Sequence, residues 1–120
     1  MEPAEASYCL IYITASSAEE AEHLARIVLE KRLAACANIF APIRSLYWWQ
    51  GTLEKAEEAV LILKAPRHLY ATIEKEILAH HTYQTPAILE IPLGRGLPGY
   101  LQWIAAETQN ASDKPASGPP

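Results

Sequence analysis

Two adjacent imidazoles, His80 and His81, are the side chains of this sequence best suited to chemistry, because neutral imidazole is a good ligand for copper and zinc. Neighbouring residues do not share a helical face, so one ion held by both requires the chain to leave the helix at that point. The block that follows, Thr82-Tyr83-Gln84-Thr85-Pro86, suits such an exit. The bland alternative is capping: an imidazole at a helix C-terminus bonds free carbonyls and suits the negative end of the dipole. His23 and His68 have no partner four residues on and read as surface residues. Cys9 and Cys36 lack CxxC spacing and read as thiols, Cys36 as a small buried residue at a strand start. Lys64, Glu57 with its neighbour Glu58, and Tyr83 could line a cleft between subunits for a small anionic or polar ligand, or simply form a solvated rim. The sequence shows no nucleophile with a base at usable spacing, no carboxylate pair in an apolar setting and no phosphate cradle. Gly94-Arg95-Gly96 has no GxGxxG context, and no catalytic residues are expected.

Those side chains have to be placed by the elements around them. Residues 8–14 form an apolar, β-branched run too short for a helix and predict a strand buried on both faces. Ser17 with Glu20 three residues on is a capping box, and predicts a helix over about 18–32 with Ala21, Leu24, Ala25 and Val28 as its buried stripe. Residues 36–40 and 43–49 read as one extended segment interrupted at Pro42, where the chain has to bend or bulge. Gln50-Gly51 is the turn of a long antiparallel hairpin whose second arm reaches Lys64. Pro66 opens a second helix ending near His80, with Leu69, Tyr70, Ile73 and Ile77 on one face. Pro86 introduces a last strand over 87–91, and residues 100–104 form a short terminal helix whose aromatic side chains need a docking surface. Residues 1–7 read as a flexible N-terminus, 8–108 as one domain and 109–120 as a disordered tail. The tail's Asn110-Ala111-Ser112 triplet means nothing for glycosylation without a secretory route.

The order strand, helix, strand, strand, helix, strand is the split βαβ pattern of an α+β, ferredoxin-like sandwich with both helices on one side of the sheet. The other side should then be polar, yet residues 8–13, 59–63 and 87–91 are largely apolar in both registers. Self-association is the expected cover, and three adjacent rings at the hairpin tip, Tyr47, Trp48 and Trp49, suit an interface better than solvent. Ten basic against fourteen acidic residues, a net charge of −4 and no run of Lys or Arg argue against nucleic acid. No apolar stretch approaches the roughly 20 residues that span a bilayer, and the acidic start is unlike a secretory signal, so a cytoplasmic address is expected.

Four blocks then carry a family resemblance: Glu30-Lys31-Arg32-Leu33-Ala34-Ala35-Cys36-Ala37-Asn38-Ile39, Ile43-Arg44-Ser45-Leu46-Tyr47-Trp48-Trp49-Gln50-Gly51, His81-Thr82-Tyr83-Gln84-Thr85-Pro86 and Tyr100-Leu101-Gln102-Trp103-Ile104. In identity, order and spacing they resemble the CutA divalent-ion tolerance family over roughly residues 9–107. The resemblance implies a ferredoxin-like subunit in an interlocked homotrimer, with Tyr47, Trp48, Trp49 and Trp103 at its interface. It implies weak binding of copper or another divalent metal ion, with His80 and His81 as ligands, and a role in the response to metal. It also implies a likeness to trimeric PII-type signalling proteins, which keeps open a sensor taking a small ligand in the inter-subunit cleft and contacting an unidentified protein partner. Two positions depart from the pattern. Some copper-binding relatives carry a thiol late in the first strand, where this chain has Ile13, and Thr82 stands where the family usually has proline.

Overall fold

A computed structural model describes residues 7–111. Most of the two ends read as unstructured, residues 1–6 and 112–120, lies outside the described residues. The chain runs β1 (Tyr8–Ala15), α1 (Ala18–Glu30), β2 (Cys36–Trp49), β3 (Thr52–Pro66), α2 (Tyr70–His80), β4 (Ile88–Pro92) and α3 (Pro98–Glu107). The strands form one four-stranded sheet in the order β2-β3-β1-β4, with every neighbouring pair antiparallel. Insertion of β3 between β1 and β2 is the split βαβ arrangement of the expected α+β, ferredoxin-like fold.

Local chemistry explains where the elements start and stop. The Ser17 hydroxyl accepts from the Glu20 N–H at 3.1 Å and caps α1. The helix ends at Glu30 because Arg32 turns left-handed, with φ 60°. The Arg32 and Leu33 N–H groups donate back to the Leu29 and Val28 carbonyls at 3.0 and 2.9 Å, which closes the helix without a glycine. Between Phe40 and Ile43 the β2–β3 register slips, since Phe40 faces Val60 while Ile43 faces Glu58. Pro42 falls in that bulge, where its missing N–H does not break the ladder. At the hairpin tip Gln50 and Gly51 have φ of 51° and 81°, the pair of positive angles that matches strand twist in a two-residue turn. Pro66 closes β3 rather than opening the second helix. Its φ of −66° suits either role, but pairing with Tyr8 holds it extended at ψ 142°. A single 3-10 turn, Arg67–Leu69, then leads into α2.

Both helices pack on one side of the sheet. Cys9, Ile11, Ile13, Leu61 and Leu63 meet Leu24, Val28, Ile73 and Ile77 in a fully buried core. Within this one chain β1 alternates: its other side chains, including Leu10 and Tyr12, remain half-buried on the outer face. The registers line up Leu10, Tyr12, Ile62, Leu89, Ile91 and Phe40 on that outer face. Leu89 is 56% and Phe40 54% exposed there. α3, longer than expected at ten residues, covers the Lys64 end, where Lys64 Nζ donates to the Tyr100 hydroxyl at 3.1 Å.

Candidate functional site

The loop leaving α2 is tied down from three directions. The His81 side chain is fully buried. Its Nε2–H donates to the Thr14 carbonyl at 2.8 Å, and its Nδ1 accepts from the Tyr83 N–H at 2.9 Å. Those two bonds define one neutral tautomer with both ring nitrogens engaged. Glu20 holds the same loop: its carboxylate accepts from the Ser16 N–H at 2.8 Å, the Ser16 hydroxyl at 2.7 Å and the Thr82 N–H at 2.8 Å. Burial alone pushes the Glu20 carboxyl up, but the bonds from Ser16 and Thr82 outweigh it and hold the group at about 2. Tyr83 packs its ring 4.8 Å from that of His81 and donates its hydroxyl to Glu58 at 2.7 Å. Burial, reinforced by that bond, raises the Tyr83 phenol.

His80 is different in every respect. Its ring is exposed, and Nδ1–H donates to the Glu76 carbonyl one turn back at 3.0 Å. That is the capping geometry the sequence allows, and it leaves Nε2 as the free acceptor. The adjacent histidines are therefore not brought together as a chelate: one faces the interior and one the solvent. Instead the ring beside His80 is His23 of α1, with centroids 6.4 Å apart and planes at 77°. Nothing in the sequence signals this pair, because the two residues come from different helices and meet only through α1–α2 packing.

Along β3 the residues expected to share a cleft separate. Glu57 and Glu58 line a surface hollow of about 300 Å³ with Ser16, Ser17, Ala18, Ala41 and Pro42. Tyr83 reaches it through Glu58. Lys64 lies about 20 Å further along the strand, paired with Cys36 and bonded to Tyr100, which raises the lysine's affinity for its proton. Tyr47, Trp48 and Trp49 sit exposed at the hairpin tip, Trp48 to 74%. Trp103 stacks at 5.4 Å on Tyr100. Cys9 and Cys36 are unpaired, and burial pushes the Cys9 thiol up to about 11. Among the described residues no group of three or more His, Cys, Asp or Glu is placed to hold a metal, and no helix is long and apolar enough to cross a membrane.

Comparison with known proteins agrees with this architecture. Residues 9–107 match the family model described as CutA1 divalent ion tolerance protein. A protein of Archaeoglobus fulgidus named divalent-cation tolerance protein CutA is 51% identical over 94 residues, covering 78% of this chain and 91% of that one. A structure described as the periplasmic divalent cation tolerance protein CutA from the same organism superposes with a TM-score of 0.82 at 48% identity, over 84% of this chain and 98% of that one. The chloroplastic protein CutA 1 of Oryza sativa is 31% identical over 102 residues, 85% of this chain but only 58% of its own length. None of these names denotes an enzyme. The chain is a member of the CutA divalent-ion tolerance family.

Proposed function

We propose that three copies of this chain shield one another's outer sheet face, and that the resulting trimer binds copper or another divalent ion weakly and contributes to ion tolerance by buffering or signalling it. One observation supports this reading above the others: the apolar outer face of the sheet, with Leu89 and Ile91 on β4 and Phe40 on β2 open to solvent. At about 25 cal/mol per Å² of apolar surface, several hundred Å² left bare forgoes on the order of 10 kcal/mol of possible burial. The exposed rings of Tyr47, Trp48 and Trp49 and the half-open Trp103 are the anchors proposed for that interface. In the assembly Lys64 of one copy can come to the Glu57 and Tyr83 end of another, which a single subunit does not allow.

The donor set suits an ion that takes neutral imidazole, such as copper or zinc. His80 offers Nε2 without rearrangement, whereas His81 joins a metal only by giving up Thr14 or Tyr83. The names of the relatives favour the cation reading over the PII-like sensor. A cytoplasmic address and an unidentified protein partner belong to the same proposal, and cell fractionation checks the address, since the Archaeoglobus structure is described as periplasmic. Light scattering at micromolar concentration tests the assembly: a mass near three times the 13.3 kDa chain is expected, and a stable lone subunit would overturn it. Calorimetry with copper and zinc salts tests the ion, with a weak, saturable heat expected and a flat titration up to millimolar metal counting against it.

A further inference from the structure

We infer that α1 and α2 together present a two-imidazole site, His23 and His80, for a divalent transition ion such as zinc or copper. The inference rests on the metal reading above and names different ligands for it, a pair from two helices in place of two neighbours in sequence.

Four observations carry it. First, the rings lie at a suitable separation. A nitrogen binds zinc at about 2.0–2.1 Å in tetrahedral geometry, so two imidazoles sharing one ion have centres roughly 5 to 5.5 Å apart. The observed 6.4 Å is roughly 1 Å wider than this, and rotation of the exposed His23 side chain toward His80 closes the gap while the His80 ring keeps its bond to Glu76. Second, His80 is already in the tautomer a metal requires. Its Nδ1–H is committed to the Glu76 carbonyl, which orients the ring and leaves the Nε2 lone pair outward, as an outer-shell partner does for a ligating histidine. Third, a carboxylate oxygen behind His80 has no work to do otherwise. Glu76 Oε1 is buried without a hydrogen-bond partner, 4.0 Å from His80 Nδ1, while Lys31 Nζ holds Oε2 at 2.8 Å. When Nε2 gives its lone pair to a cation, the Nδ1–H becomes more acidic, and Glu76 stands where that positive charge is balanced. Fourth, His81 competes only by breaking a bond in the interior, because both of its nitrogens are engaged there. Two protein ligands leave the remaining positions to water, so the site is open and reversible, which suits buffering rather than permanent storage.

The test uses the full chain, zinc chloride, calorimetry and ¹⁵N-detected histidine resonances. Zinc is expected to shift the ring signals of His23 and His80 and to leave those of His81 in place. His23→Ala and His80→Ala should each weaken binding by at least about tenfold, and Glu76→Gln by about tenfold. Both histidines are exposed, so circular dichroism should show the two histidine variants folded. If His23→Ala binds zinc as the parent does while His80→Ala does not, the pair is overturned and the metal reading survives. If His81 signals move instead, the adjacent pair replaces this one. If the parent chain itself shows no heat with either millimolar zinc or millimolar copper and no zinc-induced shifts, both readings fail together.

Discussion

Glu20 joins the start of α1 to the loop that follows α2, through three hydrogen bonds that only an ionised carboxylate accepts in full. Its depressed titration makes the clasp pH-dependent. A carboxyl held at about 2 when folded, against roughly 4.3 when unfolded, stabilises the fold above the unfolded value and loses that contribution as pH falls toward the folded one. Glu20→Gln is therefore expected to cost on the order of 2–3 kcal/mol at neutral pH and to flatten the loss of stability between about pH 5 and 2. Urea denaturation across that range is the measurement, and an unchanged acid limb would place the clasp elsewhere. Tyr83 titrates in the opposite sense: its raised phenol supports the fold below about pH 10 and stops doing so as pH climbs through the folded value. Tyr83→Phe should remove that alkaline limb and cost about 1–2 kcal/mol for the lost bond to Glu58. The Ser17–Glu20 cap was legible in the sequence because it spans three residues. The Glu20–Thr82 bond was not, because 62 residues separate its ends and only packing brings them together.

Among the described elements, the two places where the backbone turns left-handed can be separated by mutation. Gly51 sits at φ 81° with nothing within 4 Å of where a Cβ would be, so Gly51→Ala meets no clash and pays only the conformational cost. A loss of about 1 kcal/mol in thermal unfolding is expected. Arg32 at φ 60° carries the opposite logic, since it is strained yet holds the Glu107 carboxylate at 2.7 Å and so ties α3 to the end of α1. Arg32→Gly and Arg32→Ala both cut that tie, but only glycine relieves the strain. The glycine variant should be the more stable by about 1 kcal/mol, and equal melting temperatures would show that the backbone angle is not strained. The turn at Gln50-Gly51 and the bulge at Pro42 were readable from residue type. The role of Pro66 is not legible in residue type, because proline's φ satisfies a strand end and a helix start equally, and pairing with Tyr8 settles the choice.

For the whole molecule, the question is what occupies the far side of the sheet. Leu89 and Ile91 stand on β4 beside Tyr12 and Leu10, and among the described residues none of the same chain covers either of them fully. Replacing both with lysine puts two charges where another copy is proposed to sit. Leu89→Lys/Ile91→Lys is expected to leave single subunits in place of the proposed trimer on sizing with light scattering, with the far-ultraviolet spectrum of the sheet retained. An unchanged mass would move the interface to another surface.

The order of elements, the helix cap, the hairpin turn, the free thiols and the surplus of apolar strand residues were all determined by the sequence alone, because each depends on residue type over short spacing. The tertiary structure decided which histidines face which way. His80 and His81 are neighbours in the chain, but the end of α2 turns one ring out and the other into a bonded interior position, while α1 packing places His23 at the first. Side-chain direction at an element's end depends on what packs against it, and that partner is set by the fold rather than by the neighbouring letters.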